Sequence, residues 1–248
     1  MPLGTYGGVV GSEPDPYRRE LTSEFCRSRA VRSASLINVT AYAGNAFESA
    51  RGFCTHERRT HILDLGEEIE RIHEGFSENH RRNLAKLPLG RFELSEVEEP
   101  LDVKAYCRLV TESDVRHNST SGLNEGFFRS LLELLPRSVI RWQLVLLDGS
   151  PCCGHLYFIW KNTATYWHGC SDQSGLEFGA NFHLFWENIR RFKKEGLEKI
   201  NFGSGPEEAE SLKRFKKGWG ARDLTYTEYV RTSRVYRMLS LLNRYVNR

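Results

Sequence analysis

The densest chemistry in the sequence lies between residues 201 and 221, where Lys213, Arg214, Lys216 and Lys217 are interleaved with Phe215 and Trp219. Gly203, Gly205, Gly218 and Gly220 bracket them, which reads as a basic aromatic loop after a strand, open to a ligand. A cation held there would stabilise a developing oxyanion, while the plain alternative is a solvated basic turn. Trp219 either stacks on a base or sugar or packs in the core, and Phe215 reads as a packing anchor.

A second basic cluster lies at His80, Arg81, Arg82 and Lys86. Arg82 and Lys86 are four apart and share a helical face, and paired guanidinium forks suit phosphate. Asp172, just before Gln173-Ser174-Gly175, is a candidate proton acceptor or amine-binding carboxylate. His155 and His168 fall within strands and read as structural. The cationic helix face from Arg190 to Lys194, with Lys213 to Arg222, offers contacts to a nucleic-acid backbone or is simply solvated.

The elements that must position these residues are legible. Gln143–Leu147 is nearly continuously apolar, Asp148-Gly149 is a hairpin turn, and 155–160 and 164–170 are β-rich; together they make an antiparallel meander. From 180 to 195 the period becomes helical, with Leu184, Phe185, Ile189 and Phe192 inward. Gly196 ends that helix and 197–202 is the next strand, placed parallel beside the third. Earlier, 17–32 reads as a helix, 35–39 and 59–65 as strands, and 67–87 as one or two helices with Ser77 as a cap. A strand at 91–97 follows, then helices at 100–117 and 127–135. A strand at 225–230 and an amphipathic helix at 233–246 close the chain. The fold class is α/β, of α+β layered type: a mixed sheet flanked by helices.

This order, with Asn201-Phe202-Gly203 and then Phe215-Lys216-Lys217-Gly218-Trp219-Gly220, resembles the GNAT-like domain of the Fem family of peptidoglycan interpeptide-bridge ligases. His80–Lys86 resembles the basic helix preceding that domain, and Leu3-Gly4-Thr5-Tyr6-Gly7-Gly8 a glycine-rich loop of the family's first half. The resemblance implies an amide-forming acyltransferase acting on a cell-envelope or polysaccharide precursor amine, with a complete second half and a shortened first half. The corresponding division is 1–76, 77–231 and 232–248. It implies Lys216 as the cation at the oxyanion, since Phe215-Lys216 matches the family's cleft pair, and Arg81, Arg82 and Lys86, with Phe215 and Trp219, as substrate contacts. The donor is an aminoacyl ester on tRNA or an acyl-coenzyme A, neither tightly bound, and the acceptor a small molecule, glycan or peptide. Two other readings stand beside it: an acyl-CoA N-acetyltransferase of polysaccharide biosynthesis and a catalytically silent binding module. Asp172–Ala180 spaces its glycines too widely for a pyrophosphate loop, and Glu177 would repel phosphate.

Composition narrows the class. A net charge of +3 over 248 residues does not by itself call for nucleic acid. No apolar run approaches the roughly 18 residues of a membrane helix, and the start lacks a basic and apolar leader, so the expectation is a cytoplasmic protein. The six cysteines fit no zinc spacing and read as buried thiols, with no metal site expected.

Overall fold

The computed structural model describes residues 36–42, 54–119, 121–205 and 209–232. The glycine-rich start and the expected helices at 17–32 and 233–246 lie outside them. The chain divides into two units, 61–223 and a second made of 1–60 with 224–248.

In the second unit, β1 (Leu36–Tyr42) pairs antiparallel with the strand that spans Arg222–Thr232, in register from Leu36 opposite Thr232 to Tyr42 opposite Tyr226. Arg58, on β2 (Cys54–Asp64), donates to Glu228 at 3.0 Å.

The 61–223 unit begins with the end of β2 and two short helices, α1 (Ile69–Glu74) and α2 (Glu78–Ala85). Ser77 caps α2, its side chain accepting from the His80 amide, as its position before an acidic first turn implies. A 3₁₀ turn at Leu89–Arg91 leads into β3 (Phe92–Glu96). Two helices follow, α3 (Pro100–Arg116), with proline in its first turn and a Glu99/Asp102 capping box, and α4 (Glu125–Leu134), capped by Asn124. The meander is β4 (Ile140–Leu147), β5 (Ser150–Trp160) and β6 (Thr163–Ser171). Asp148 and Gly149, both at positive φ, form its first turn. A short helix α5 (Gln173–Glu177) precedes α6 (Ala180–Lys194), and Gly196 at φ 82° turns the chain into β7 (Lys199–Asn201).

Strand order in this unit is β2-β7-β6-β5-β4-β3, with β7 parallel to β6 as expected and every other pair antiparallel. One apolar layer, with Phe185, Ile189, Phe192, Tyr157, Ile200 and Trp219, lies on the α6 face. The other, with Tyr106, Leu109, Phe128, Trp142 and Leu156, lies under α3 and α4. Leu156 and Tyr157 are adjacent on β5 and go to opposite layers, the period-two signature of a strand covered on both faces.

The basic aromatic stretch is not a loop. It forms α7 (Glu210–Gly218), after which β8 (Arg222–Thr232) begins. Leu212, Phe215 and Trp219 recur at three and four, and that helical stripe is diluted in the sequence by the lysines between them. Among the described residues no helix is long and apolar enough to cross a membrane, and no group of ligating side chains could hold a metal ion.

Candidate active site

β6 and β7 are in register only from Thr163 opposite Lys199 to Thr165 opposite Asn201. β6 then runs on to Ser171, still paired to β5, while the other chain turns away. The turn is built locally: the Asn201 side chain accepts from the Gly203 amide at 2.9 Å, and Gly203 adopts φ 72°. The result is a cleft between diverging parallel strands, with a strand edge on one wall. A Cβ on Gly203 would stand 3.6 Å from the Tyr166 carbonyl, so the two walls are close at the point of divergence.

Lys216 lies at this turn. Its side chain is buried, at 4% exposure, and its Nζ donates to the Gly203 carbonyl at 2.8 Å and the Ser204 carbonyl at 3.3 Å. Burial lowers its pKa from 10.5 to about 8. An ammonium has three N–H donors, and among the described residues only those two carbonyls accept from it. His61, at the β2 side of the same turn, has its Nε2 3.5 Å from Asp223, whose other oxygen accepts from Lys217 at 2.9 Å. Burial and then the Lys216 charge hold this imidazole below its ordinary pKa.

Phe215 and Trp219, on the turns flanking Lys216, face inward. Trp219 is fully buried and packs against Phe76, His80 and Phe185. Its indole is a core group with no face for a base or sugar. Phe215 is half-buried against His80, Phe182 and Phe185. His80 thereby links three helices. A Cβ on Gly218 would stand 2.0 Å from its ring, so the close approach of α7 to α2 needs glycine there. This packing carries Arg81, Arg82 and Lys86 on the exposed side of α2. Arg81 donates to the Glu74 carbonyl and Arg82 to Asn79, both on the surface.

Asp172 is placed elsewhere. Its Oδ1 accepts from the Gly175 amide at 2.8 Å and from Ser174 at 2.7 Å, capping α5, and its Oδ2 lies 3.6 Å from Arg108. One amide at this helix, that of Gly175, is met by the chain's own carboxylate, and that negative charge opposes coenzyme A's diphosphate there. On α6, Arg190 pairs with Glu187, Arg191 with Glu96 and Glu195, and Lys193 with the Leu65 carbonyl.

A third group includes His168, for which the sequence implies a structural role. Between Leu156 and Tyr157 the β5–β6 register shifts, leaving Trp167 as an extra residue on β6. Tyr166 contacts Phe185 on the α6 side, whereas Trp167 and His168 both turn to the α3/α4 layer, meeting Phe127 and Tyr106. This bulge sits where β6 has lost β7, and bulges re-aim side chains at such positions. The only sequence signal was an aromatic pair breaking strict alternation.

A model of the acetyltransferase (GNAT) domain matches residues 76–229. The solved structure of FemX superposes with a TM-score of 0.70 at 14% identity, over 94% of this chain and 81% of that one. L-PGS from Bacillus licheniformis gives 0.61 at 10% identity, over 92% and 77%. A GCN5-related N-acetyltransferase from Kribbella flavida gives 0.52 at 11%, over 88% and 76%. These identities show a shared fold. No curated protein matches the sequence.

Proposed function

The chain belongs to the acetyltransferase (GNAT) domain family, and from that premise we propose that it is an N-acyltransferase forming an amide on the amine of a cell-envelope or polysaccharide precursor. The observation that carries this reading is the buried Lys216 ammonium at the mouth of the β6–β7 cleft, held on two backbone carbonyls with a donor to spare. Amine attack on an acyl carbon places negative charge on one oxygen, and a pre-oriented cation in a site of low dielectric stabilises it without reorganisation. The edge of β6 beyond its pairing with β7 offers backbone groups to hold an extended donor or acceptor in place.

In this reading Arg81, Arg82 and Lys86 hold a phosphate-bearing substrate on the α2 surface. Phe215 acts through packing, seating the turn of α7 that bears Lys216. The occupied cap at Asp172 supports a donor other than coenzyme A, and an aminoacyl ester on tRNA is the donor class proposed. A thermal-shift titration with charged tRNA and, separately, acetyl-CoA tests this. Stabilisation by charged tRNA that disappears at high salt is the expected result. A shift with acetyl-CoA alone would overturn the donor assignment.

A further inference from the structure

Tyr166 is the first residue of β6 beyond its pairing with β7, and its carbonyl lies against the Gly203 turn on which Lys216 is held. Its ring lies on the α6 face, packed on Phe185, His155 and Tyr157 at centroid distances of 4.9, 5.0 and 5.3 Å. From there the phenol runs along β6. A Cβ on Gly169 would stand 1.7 Å from its oxygen and 2.8 Å from Cζ. Residues three apart on a regular strand face opposite ways. Here Tyr157 and His155, two apart on β5 and so on one face, stand opposite Tyr166 and Gly169. The extra residue of the bulge, Trp167, thus brings positions 166 and 169 onto the same face. Gly169 is not among the glycines at positive φ, so its backbone does not call for glycine. The space taken by the phenol does.

Tyr106 and Tyr157 spend their hydroxyls on imidazole nitrogens, of His168 at 2.7 Å and His155 at 3.4 Å. The hydroxyl of half-buried Tyr166 has no hydrogen-bond partner among the described residues, and it is not sealed in the core as the Trp219 indole N–H is. Burial raises its pKa well above the usual phenol range, so it keeps its proton. A packed ring thus presents an unspent donor beside the stretch of β6 that β7 has left.

We propose that the Tyr166 hydroxyl is a contact for the acyl donor, donating a hydrogen bond to an oxygen of the arm that carries the acyl group, and that Gly169 is the notch that lets it lie along β6. The proposal rests on the acyltransferase reading. In that reading Lys216 takes the acyl oxygen at the turn. The phenol points from the turn along β6 toward Gly169, so what reaches it is the arm beyond the acyl group. Its proton does not go to the attacking amine, because that nitrogen must keep its lone pair for the acyl carbon. A ribose oxygen beside an aminoacyl ester and an amide oxygen in the arm of an acyl thioester both accept such a bond. No covalent bond is made or broken at Tyr166.

Tyr166→Phe removes the oxygen and keeps the ring in its packing, so its melting curve should match the wild type. In a transfer assay with a primary amine as acceptor and charged tRNA or, separately, acetyl-CoA as donor, its KM for the donor should rise about three- to tenfold, the loss of one hydrogen bond. Saturating kcat and the KM for the amine should not change. Equilibrium binding of uncharged tRNA or free coenzyme A should weaken by the same factor, because the contact is to the arm. Gly169→Ala puts a methyl where the phenol oxygen lies and should weaken the donor at least as much, and in the double variant the two losses should not multiply. Unchanged donor constants in Tyr166→Phe overturn the contact while leaving the acyltransferase reading intact. A rise confined to the amine's KM, or to the charged donor, overturns the assignment to the arm. Wild-type protein that transfers from neither donor sinks the acyltransferase reading and this contact with it. If Gly169→Ala fails to fold, Tyr166→Phe decides.

Discussion

The Lys216 Nζ donates to the Gly203 carbonyl at 2.8 Å, joining the helix that follows the cleft to the turn that opens it. The charge is buried and its pKa lies near 8, below its ordinary 10.5. A lowered folded pKa means that the unfolded chain holds this proton more tightly. Its contribution to stability is therefore greatest above about 10.5, where both states are neutral, and is lost as pH falls through about 8. The Tm of the wild type relative to Lys216→Met should thus rise between pH 8 and 10.5. A difference that stays flat across that window would contradict the burial.

Gly218→Ala should destabilise the chain by about 1–3 kcal/mol, the usual cost of an overpacked core position. The added methyl would meet the His80 ring at 2.0 Å, and that ring is enclosed by Phe182, Phe215 and Trp219. Urea denaturation checks this, and a midpoint equal to the wild type would show that α2 and α7 are not docked through His80.

Asp172→Ala removes the α5 cap, which typically costs about 0.5–2 kcal/mol. Since the carboxylate is spent on Gly175 and Ser174, the rate per folded molecule should be unchanged. Melting curves and turnover measured on the same preparations separate the two effects. Lost turnover with normal stability would return Asp172 to the chemistry.

Arg81→Ala combined with Arg82→Ala should weaken charged-tRNA binding at low salt. Each lost phosphate contact should lower the slope of log K against log salt by about one. Both side chains are exposed and, among the described residues, bond to the Glu74 carbonyl and to Asn79, so melting should barely move. Binding with an unaltered salt slope would remove phosphate from the role of α2.

Much of this was legible in the residues themselves. The meander, α6 and its glycine stop follow from period and turn chemistry, and Ser77 is the cap its position implies. The nature of α7 was obscured because its surface lysines and flanking glycines outweigh a stripe of three apolar residues. The β6 bulge and the His168–Tyr106 contact were not legible, because they join residues 62 apart through a register shift that period alone does not encode. The burial of Lys216 was equally hidden, since a lysine in a basic run reads as solvated until the turn around Gly203 is seen.

The central claim is that the Lys216 ammonium stabilises the charge formed during acyl transfer. Its most direct test is the single-turnover transfer of a labelled aminoacyl group from charged tRNA to a primary amine, for wild type and Lys216→Ala, with melting curves on both. Removing one oxyanion-stabilising donor should slow the step by about 10²-fold or more, with the variant still folded. The wild-type rate should also fall on the alkaline side near pH 8, where the ammonium deprotonates. A folded Lys216→Ala chain that transfers at the wild-type rate would contradict the account.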